Sequence, residues 1–271
     1  MNQSRAVRKG NLADLKQYIE EGECSIEARG GRYHSTLLLE ACLWHKPKVV
    51  AFLLEFGAQV DSSAGGSWTT LHFASDLKES PDLVVTLIEH GAIVDARDYY
   101  RRTPLHIACK NGFSSVATVL LNAGADTESK DMSGRTPTMY AASQGRRDVV
   151  ALILEFGGEV DALDQERETA LHMATRGGHS TTMNMLERAG ANTEVVNCWG
   201  ELAGSLALSY KMNPQTSLVE EEGKSPSVCN ACSAKNGRHY YFCRSEFLRE
   251  VPDWCILGPD GFPVVSKQPS V

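Results

Sequence analysis

The sequence predicts an all-α fold in which short helical units stack side by side into a linear array, a solenoid. Five segments align with one another, and each opens on a threonine; these are Thr36, Thr69, Thr103, Thr136 and Thr169. Their spacing is 33 residues in three intervals and 34 in one, which is a period typical of stacked repeats. Within the segments, apolar residues follow the spacing of amphipathic helices. No unit could bury its apolar face alone, so the core is expected to form by stacking.

The first helix of each unit is predicted from the residues that open it. Thr103 precedes Pro104 and Thr136 precedes Pro137, so a capping hydroxyl is followed by proline at the first helical position. The helix carries a small residue where adjacent helices must approach closely; these residues are Ala41, Ala74, Ala108, Ala141, Ala174 and Ala207. Glycines such as Gly112 end this helix or supply the turn after it.

The second helix of each unit carries the large aliphatic side chains. Val149-Val150 and Ile153-Leu154 have the spacing that buries one stripe of a helix. A glycine then ends the helix in each unit; these are Gly57, Gly91, Gly124, Gly157 and Gly190. The one long interval is attributed to an extra residue around Ser80-Pro81, in the turn between the two helices.

Two weaker copies flank the five units. The first keeps Gly10 and Gly22, and the last, WGELAGSLALSYKM, keeps Ala207. A terminal repeat covers only one neighbour, so its sequence is expected to be atypical. The prediction is therefore a seven-repeat array over residues 1–211.

These repeats resemble ankyrin repeats. The resemblance rests on the period, on Thr-Pro-Leu-His-Ile-Ala at 103–108 and on Leu-Leu-Asn-Ala-Gly-Ala-Asp at 120–126. It implies a stack of antiparallel helix pairs with β-hairpin-like finger loops projecting from one edge. Departures from the pattern, such as Leu39 and Met139 in place of histidine, imply local differences in packing.

The composition excludes several classes of function. The chain has 27 lysines and arginines against 34 acidic residues, a net charge of −7, whereas duplex DNA is bound by clustered positive charge. No stretch approaches the roughly 18 apolar residues of a membrane span, and the first residues lack the apolar core of a signal peptide. A cytoplasmic protein, present also in the nucleus, is the expectation.

Catalysis is not expected. The sequence contains no Gly-rich phosphate loop, no His-Glu-x-x-His and no Gly-x-Ser-x-Gly elbow. His72, His106 and His172 occupy one repeat position, where the resemblance implies a structural role beside the threonine cap and the neighbouring loop. Cys42 and Cys109 are interpreted as small packing residues.

The finger loops hold the candidate partner-binding residues. Tyr, Trp and Arg are the residue types enriched in binding hot spots. They occur just before the repeat threonines, as Trp68, Tyr99, Tyr100, Arg101, Arg102, Arg135 and Arg167, and Trp199 occupies a related position in the last copy. For the two tryptophans, packing against neighbouring hairpins is the alternative. A cluster of arginines favours an acidic or phosphorylated peptide as the partner.

The repeat pattern ends near residue 211. Residues 212–228 are interpreted as a linker, and residues 229–271 as a loosely ordered tail rich in cysteine and aromatic residues. Cys229, Cys232, Cys243 and Cys255, or His239 in place of the last, could supply four ligands to one Zn²⁺. Parts of this segment resemble GATA-type and MYND-type zinc fingers without their full ligand sets. The alternative is free thiols in a tail without metal.

The leading functional hypothesis is a non-enzymatic adaptor or scaffold that binds a partner protein through the concave face and finger loops of the repeats. The second is a substrate-recognition subunit of a ubiquitin ligase, with the tail recruiting the ligase. The third is a zinc-dependent regulatory protein in the nucleus. The second and third depend on residues 212–271.

Overall fold

The computed structural model describes residues 2–21, 25–30, 35–76 and 78–203, and the backbone of 256–257 and 263–264. The chain divides into two units, Met1–Met212 and Asn213–Val271. In the second unit the described residues form one antiparallel pair, Ile256–Leu257 with Pro263–Val264. The linker, the tail cysteines and most of the last repeat lie outside the described residues.

The described part of the first unit consists of consecutive helix pairs. The helices are α1 (Asn2–Lys9), α2 (Leu12–Glu20), α3 (Leu37–Leu43), α4 (Pro47–Glu55), α5 (Thr70–Ala74), α6 (Pro81–Glu89), α7 (Pro104–Asn111), α8 (Ser114–Asn122), α9 (Pro137–Ser143), α10 (Arg147–Glu155), α11 (Ala170–Arg176) and α12 (Ser180–Arg188). Two short strands, β1 (Ser63–Ala64) and β2 (Trp68–Thr69), pair antiparallel between α4 and α5.

The helix pairs stack in two layers. The first helices contact one another in series, α1 with α3, α3 with α5, and onward to α9 with α11. The second helices do the same from α4 to α12. The predicted all-α solenoid is therefore confirmed for the described residues.

The helix starts follow the expected capping chemistry. Thr36 is the N-cap of α3, and its hydroxyl accepts a hydrogen bond from the backbone N–H of Leu39 at 3.4 Å. Thr103 is the N-cap of α7, with Pro104 at the first helical position. At the other end of α7, Gly112 adopts a left-handed conformation with φ 82°, which glycine reaches without strain.

The extra residue of the second strong repeat lies where the sequence predicts it. α6 begins twelve residues after Thr69, whereas α8 begins eleven residues after Thr103. The longer turn carries Glu79, whose carboxylate accepts hydrogen bonds from the backbone N–H and the hydroxyl of Ser115, at 2.9 and 2.7 Å. The inserted turn therefore caps the start of α8 in the next repeat.

The core is one continuous apolar cluster that runs along the array from Val7 to Ala203. Five of the six alanines predicted at close helix approaches, Ala74, Ala108 and Ala174 among them, are fully buried, and the sixth, Ala207, lies outside the described residues. Leu87 and Leu120 of the second helices are also fully buried. Each repeat thus completes the core of its neighbours, as the sequence pattern requires.

Candidate functional site

Each repeat ends in a short turn, called a finger here, that stands between the second helix of one pair and the first helix of the next. The fingers are Ser63–Thr69, Asp98–Arg102, Asp131–Arg135, Asp164–Glu168 and Asn197–Glu201. They carry all eight predicted partner-binding residues, so the geometry of the fingers decides which of these side chains are exposed.

The predicted role of the repeat histidines is confirmed by their hydrogen bonds. In the third strong repeat, Nδ1 of His106 lies 3.0 Å from the backbone N of Thr103 and 2.9 Å from its hydroxyl. A backbone N–H can only donate, so Nδ1 accepts and the neutral ring carries its proton on Nε2. That Nε2 lies 3.0 Å from the carbonyl oxygen of Arg135 in the next finger, to which it donates.

The same arrangement recurs at the two other repeat histidines. Nε2 of His72 lies 2.9 Å from the carbonyl oxygen of Arg102, and Nε2 of His172 lies 3.2 Å from that of Glu201. Burial lowers the pKa of His106 to about 4, against the weaker opposing effect of its bond to the Arg135 carbonyl. The ring is therefore neutral at physiological pH and joins one repeat to the next.

A row of buried carboxylate and amide side chains shapes the fingers, and the sequence reasoning missed it. In the four fingers that follow residues 63–69, Oδ1 of the first residue accepts hydrogen bonds from the backbone N–H groups two and four positions later. The distances are 2.9 and 2.8 Å at Asp98, 2.8 and 2.9 Å at Asp131, 3.0 and 2.8 Å at Asp164, and 3.1 and 2.9 Å at Asn197. The sequence feature that could have identified this row is the 33-residue spacing of its four members, Asp98, Asp131, Asp164 and Asn197.

Adjacent fingers are also bonded to each other through the backbone. In each case an N–H of one finger donates to a carbonyl of the finger before it: Tyr99 to Gly66 at 2.9 Å, Met132 to Tyr100 at 2.9 Å, Gln165 to Ser133 at 3.0 Å, and Cys198 to Glu166 at 2.9 Å. The fingers therefore form a continuous ribbon along one edge of the array.

The fourth residue of each finger has a left-handed backbone. Glycine occupies this position in three fingers, where φ is 78° at Gly66 and 80° at both Gly134 and Gly200. Arginine occupies it in the two others, where φ is 61° at Arg101 and 60° at Arg167. A left-handed conformation costs an ordinary residue roughly 1–2 kcal/mol, so these two arginines are held in strained positions.

The predicted site arginines fall into two groups. Arg102 donates two hydrogen bonds to the buried carboxylate of Asp98, at 2.6 and 2.8 Å, and Arg135 lies 3.4 Å from Oδ2 of Asp164. Their guanidinium groups thus have partners within the fingers. Arg101 is exposed, and among the described residues it makes no salt bridge. Arg167 is likewise exposed, and it too forms no ion pair within the described ranges.

The predicted aromatic residues also differ in their availability. Trp68 is partly buried against the core, with its ring centroid 5.2 Å from that of Phe73. Arg102 lies over the Trp68 ring at 5.7 Å and over the Tyr100 ring at 5.1 Å. Trp68 is therefore a packing residue, and packing was the alternative to partner binding that the sequence left open for it.

Three large apolar side chains remain exposed on the fingers. Tyr99 is 58 % exposed, Trp199 is 59 % exposed and Met132 is 46 % exposed. Tyr99 packs edge to face with Tyr100, and Arg176 lies 5.8 Å above the Trp199 ring. Met132 was not singled out from the sequence, because methionine at a loop position carries no distinctive signal.

Tyr140 is a second residue that the sequence reasoning did not assign to the site. Its hydroxyl donates to Oδ2 of Asp131 at 2.8 Å, and its ring meets that of His106 edge to face. Burial, followed by the nearby Asp131 carboxylate, raises the pKa of the Tyr140 phenol well above its usual range. In this repeat Met139 replaces the histidine, and the hydroxyl of Thr136 has no hydrogen-bond partner in the described structure.

Two cysteines of the described array lie in its core. Cys42 and Cys109 are fully buried, and burial raises the pKa of both thiols well above the usual range. Among the described residues, no group of three or more His, Cys, Asp or Glu side chains could hold a metal ion. The predicted zinc ligands lie outside those residues. Within the described part of the chain, no helix is long and apolar enough to cross a membrane.

Comparison with known proteins agrees with the geometry. Residues 63–131 and 125–197 match the family model described as ankyrin repeats (3 copies). The crystal structure of the ankyrin repeat domain of Bcl-3, a member of the IkappaB protein family, aligns with a TM-score of 0.67 and 27 % identity, covering 76 % of this chain and 93 % of that one. The human ASB11 ankyrin repeat domain aligns with a TM-score of 0.68 and 28 % identity, covering 76 % and 91 %.

No curated protein sequence matches the chain. The family model and the two structures agree with the stacked helix pairs of the described residues. The helical array formed by this chain is an ankyrin-repeat domain.

Proposed function

We propose that the chain is a non-enzymatic adaptor or scaffold that holds a partner protein against the concave face and fingers of its ankyrin repeats. The observation that carries the proposal is the exposure of Tyr99, Met132 and Trp199 on the finger ribbon. Aromatic residues and methionine are enriched in protein interfaces, and exposed apolar side chains gathered on one edge favour a binding role over a purely structural one.

The rigidity of the fingers supports this function. Each of the four fingers from 98–102 to 197–201 is fixed by the carboxylate or amide of its first residue and by a backbone bond to the preceding finger. A partner that binds there would not have to order a flexible loop, so little conformational entropy would oppose the interaction. The exposed side chains of Tyr99, Met132 and Trp199 are thus held at the surface by a fixed backbone.

The proposal is tested by comparing two variants of the full chain. The first combines Tyr99→Ala, Met132→Ala and Trp199→Ala. The control, Phe156→Ala, removes an apolar side chain of similar exposure, 43 %, from the end of α10. Tagged proteins are recovered from cells, and co-purifying proteins are quantified by mass spectrometry.

We expect the finger variant to lose specific partners that the wild type and the control both retain. Hot-spot truncations cost about 2 kcal/mol or more each, so the loss should be large. Circular dichroism establishes that both variants are folded. Identical partner recovery by folded finger and control variants would refute the proposal.

A role as a ubiquitin-ligase substrate receptor or as a zinc-dependent nuclear regulator stays a prediction that concerns residues 212–271. It is tested by deleting those residues and by metal analysis of the purified full chain. Unchanged ligase association after the deletion would contradict the first role, and less than about 0.2 zinc per chain would contradict a stably occupied four-ligand site. The cytoplasmic and nuclear location is tested by imaging the tagged chain.

A further inference from the structure

We infer that Arg101 and Arg167 form a two-point clamp for an acidic peptide segment whose carboxylate groups lie two fingers apart. This inference rests on the proposed function and names the chemistry of the partner. It starts from the fourth finger position, where three fingers carry glycine and two carry arginine in the same left-handed backbone conformation.

The backbone strain at Arg101 and Arg167 indicates that their side chains have a functional role. Gly134 and Gly200 show that glycine serves the turn without strain. An added Cβ at Gly200 would meet nothing within 4 Å, whereas at Gly134 it would lie 3.0 Å from the backbone nitrogen of Gln165. Space therefore selects glycine at 134, but it does not explain the choice between glycine and arginine in every finger. Strained residues that glycine could replace are concentrated at functional sites, and the turn itself gains nothing from an arginine.

The pairing of the finger arginines supports the same conclusion. Arg102 and Arg135 neutralise buried aspartates of the fingers, so they are not available to a partner. Arg101 and Arg167 are exposed, and neither forms a salt bridge with any other described residue. Each can therefore donate charge-assisted hydrogen bonds to an anion from outside the chain.

The separation of the two arginines favours carboxylates over a phosphate. Helices of neighbouring repeats pack about 10 Å apart, so positions two fingers apart lie roughly 20 Å apart. A single phosphate group is recognised by arginines that converge on one point, and Arg102, the neighbour of Arg101, is already bound to Asp98. An extended segment with acidic residues about six positions apart spans this distance at ~3.3 Å per residue.

The test uses fluorescence anisotropy with the full chain and three labelled synthetic peptides of equal length. One peptide carries two Glu-Glu pairs six residues apart, one carries the same four glutamates together, and one carries a single phosphoserine and no glutamate. The variants are Arg101→Gly, Arg167→Gly and the double variant. Arg101→Asn with Arg167→Asn serves as a second double variant, because asparagine also tolerates the left-handed conformation.

We expect the wild type to bind the spaced peptide most tightly, and each single variant to weaken that binding by roughly tenfold, as expected for one charged hydrogen bond. The glycine variants should not unfold, because they relieve strain, so a loss of binding reports on the guanidinium group. Equal binding of the spaced and clustered peptides, tightest binding of the phosphopeptide, or binding unchanged in both double variants would overturn the clamp. The partner-recovery experiment with the Tyr99, Met132 and Trp199 variant would still decide the proposed function separately.

Discussion

Acidification should weaken the array through the buried ring of His106. The folded protein holds this ring neutral, because Nδ1 accepts from Thr103 and burial opposes a charge. In the unfolded chain the ring has its ordinary pKa of 6.5, and in the folded protein about 4. Between these two pH values the unfolded state binds more protons, so the free energy of unfolding falls as the pH is lowered. Above pH 6.5 the contribution is fully present.

The magnitude follows from those two pKa values. Lowering the pH from about 7.5 to 5.0 protonates most of the unfolded rings and few of the folded ones, which costs about 2 kcal/mol of stability through this residue alone. His106→Met removes the titrating group and copies Met139, the natural residue at the equivalent position. The variant is expected to be less stable at pH 7.5 by about 2 kcal/mol, because it leaves the Arg135 carbonyl and the Thr103 N–H without their partner.

The assay is urea unfolding of the wild type and the variant at both pH values, followed by circular dichroism and tryptophan fluorescence. Agreement between the two probes is required, since repeat arrays do not always unfold in one step. The stability of the wild type should fall by about 2 kcal/mol more than that of the variant on acidification, because all other titrating groups are shared. Equal losses in the two proteins would refute the assignment of His106 as a buried neutral link.

Three further predictions concern the fingers and the thiols. Asp98→Ala should lower the free energy of unfolding by about 3 kcal/mol, because it leaves the partly buried guanidinium group of Arg102 without its carboxylate partner. Asp98→Asn keeps an acceptor at Oδ1 and should lower the free energy of unfolding by less. Thermal unfolding measures both variants. Gly200→Ala should lower stability by about 1 kcal/mol, because it places a strained residue at the left-handed position. Arg101→Gly should raise stability by about 0.5–1 kcal/mol, because it relieves strain at the equivalent position. A shift of the same sign in both variants would contradict this reasoning. Iodoacetamide should alkylate the exposed Cys198 far faster than the buried Cys109 in the native chain, as peptide mass spectrometry can show; equal rates would contradict the burial of the latter.

The stacking of the repeats could be predicted from the sequence because its determinants recur in register. Thr103, Pro104 and Ala108 have counterparts at fixed spacing, and each acts locally as a cap, a helix start or a close contact. The extra residue near Ser80 could be located for the same reason, since it breaks one interval and no other. Interactions between residues that are close in the sequence can be recognised from the sequence when the same residues recur in each repeat.

Which finger arginines are exposed and which are ion-paired could not be predicted in this way. Arg101 and Arg102 are neighbours in the sequence, but one is exposed and the other is bound to Asp98. The pairing of Arg135 with Asp164 joins residues 29 positions apart, and it depends on how closely two fingers stack. Such contacts arise from the assembled array, and a single repeat does not contain the information that specifies them.

The hydrogen bonds of the finger ribbon have a consequence for how this protein can evolve. The ribbon is held by backbone atoms and by the first residue of each finger, as at Asp131. Tyr99 and Met132 enter the ribbon through their backbone N–H groups, which every residue type except proline retains. A change of side chain at these two positions therefore preserves the ribbon bond. The chain can therefore acquire new binding partners by neutral drift at the finger tips, while selection on folding acts on a separate set of positions.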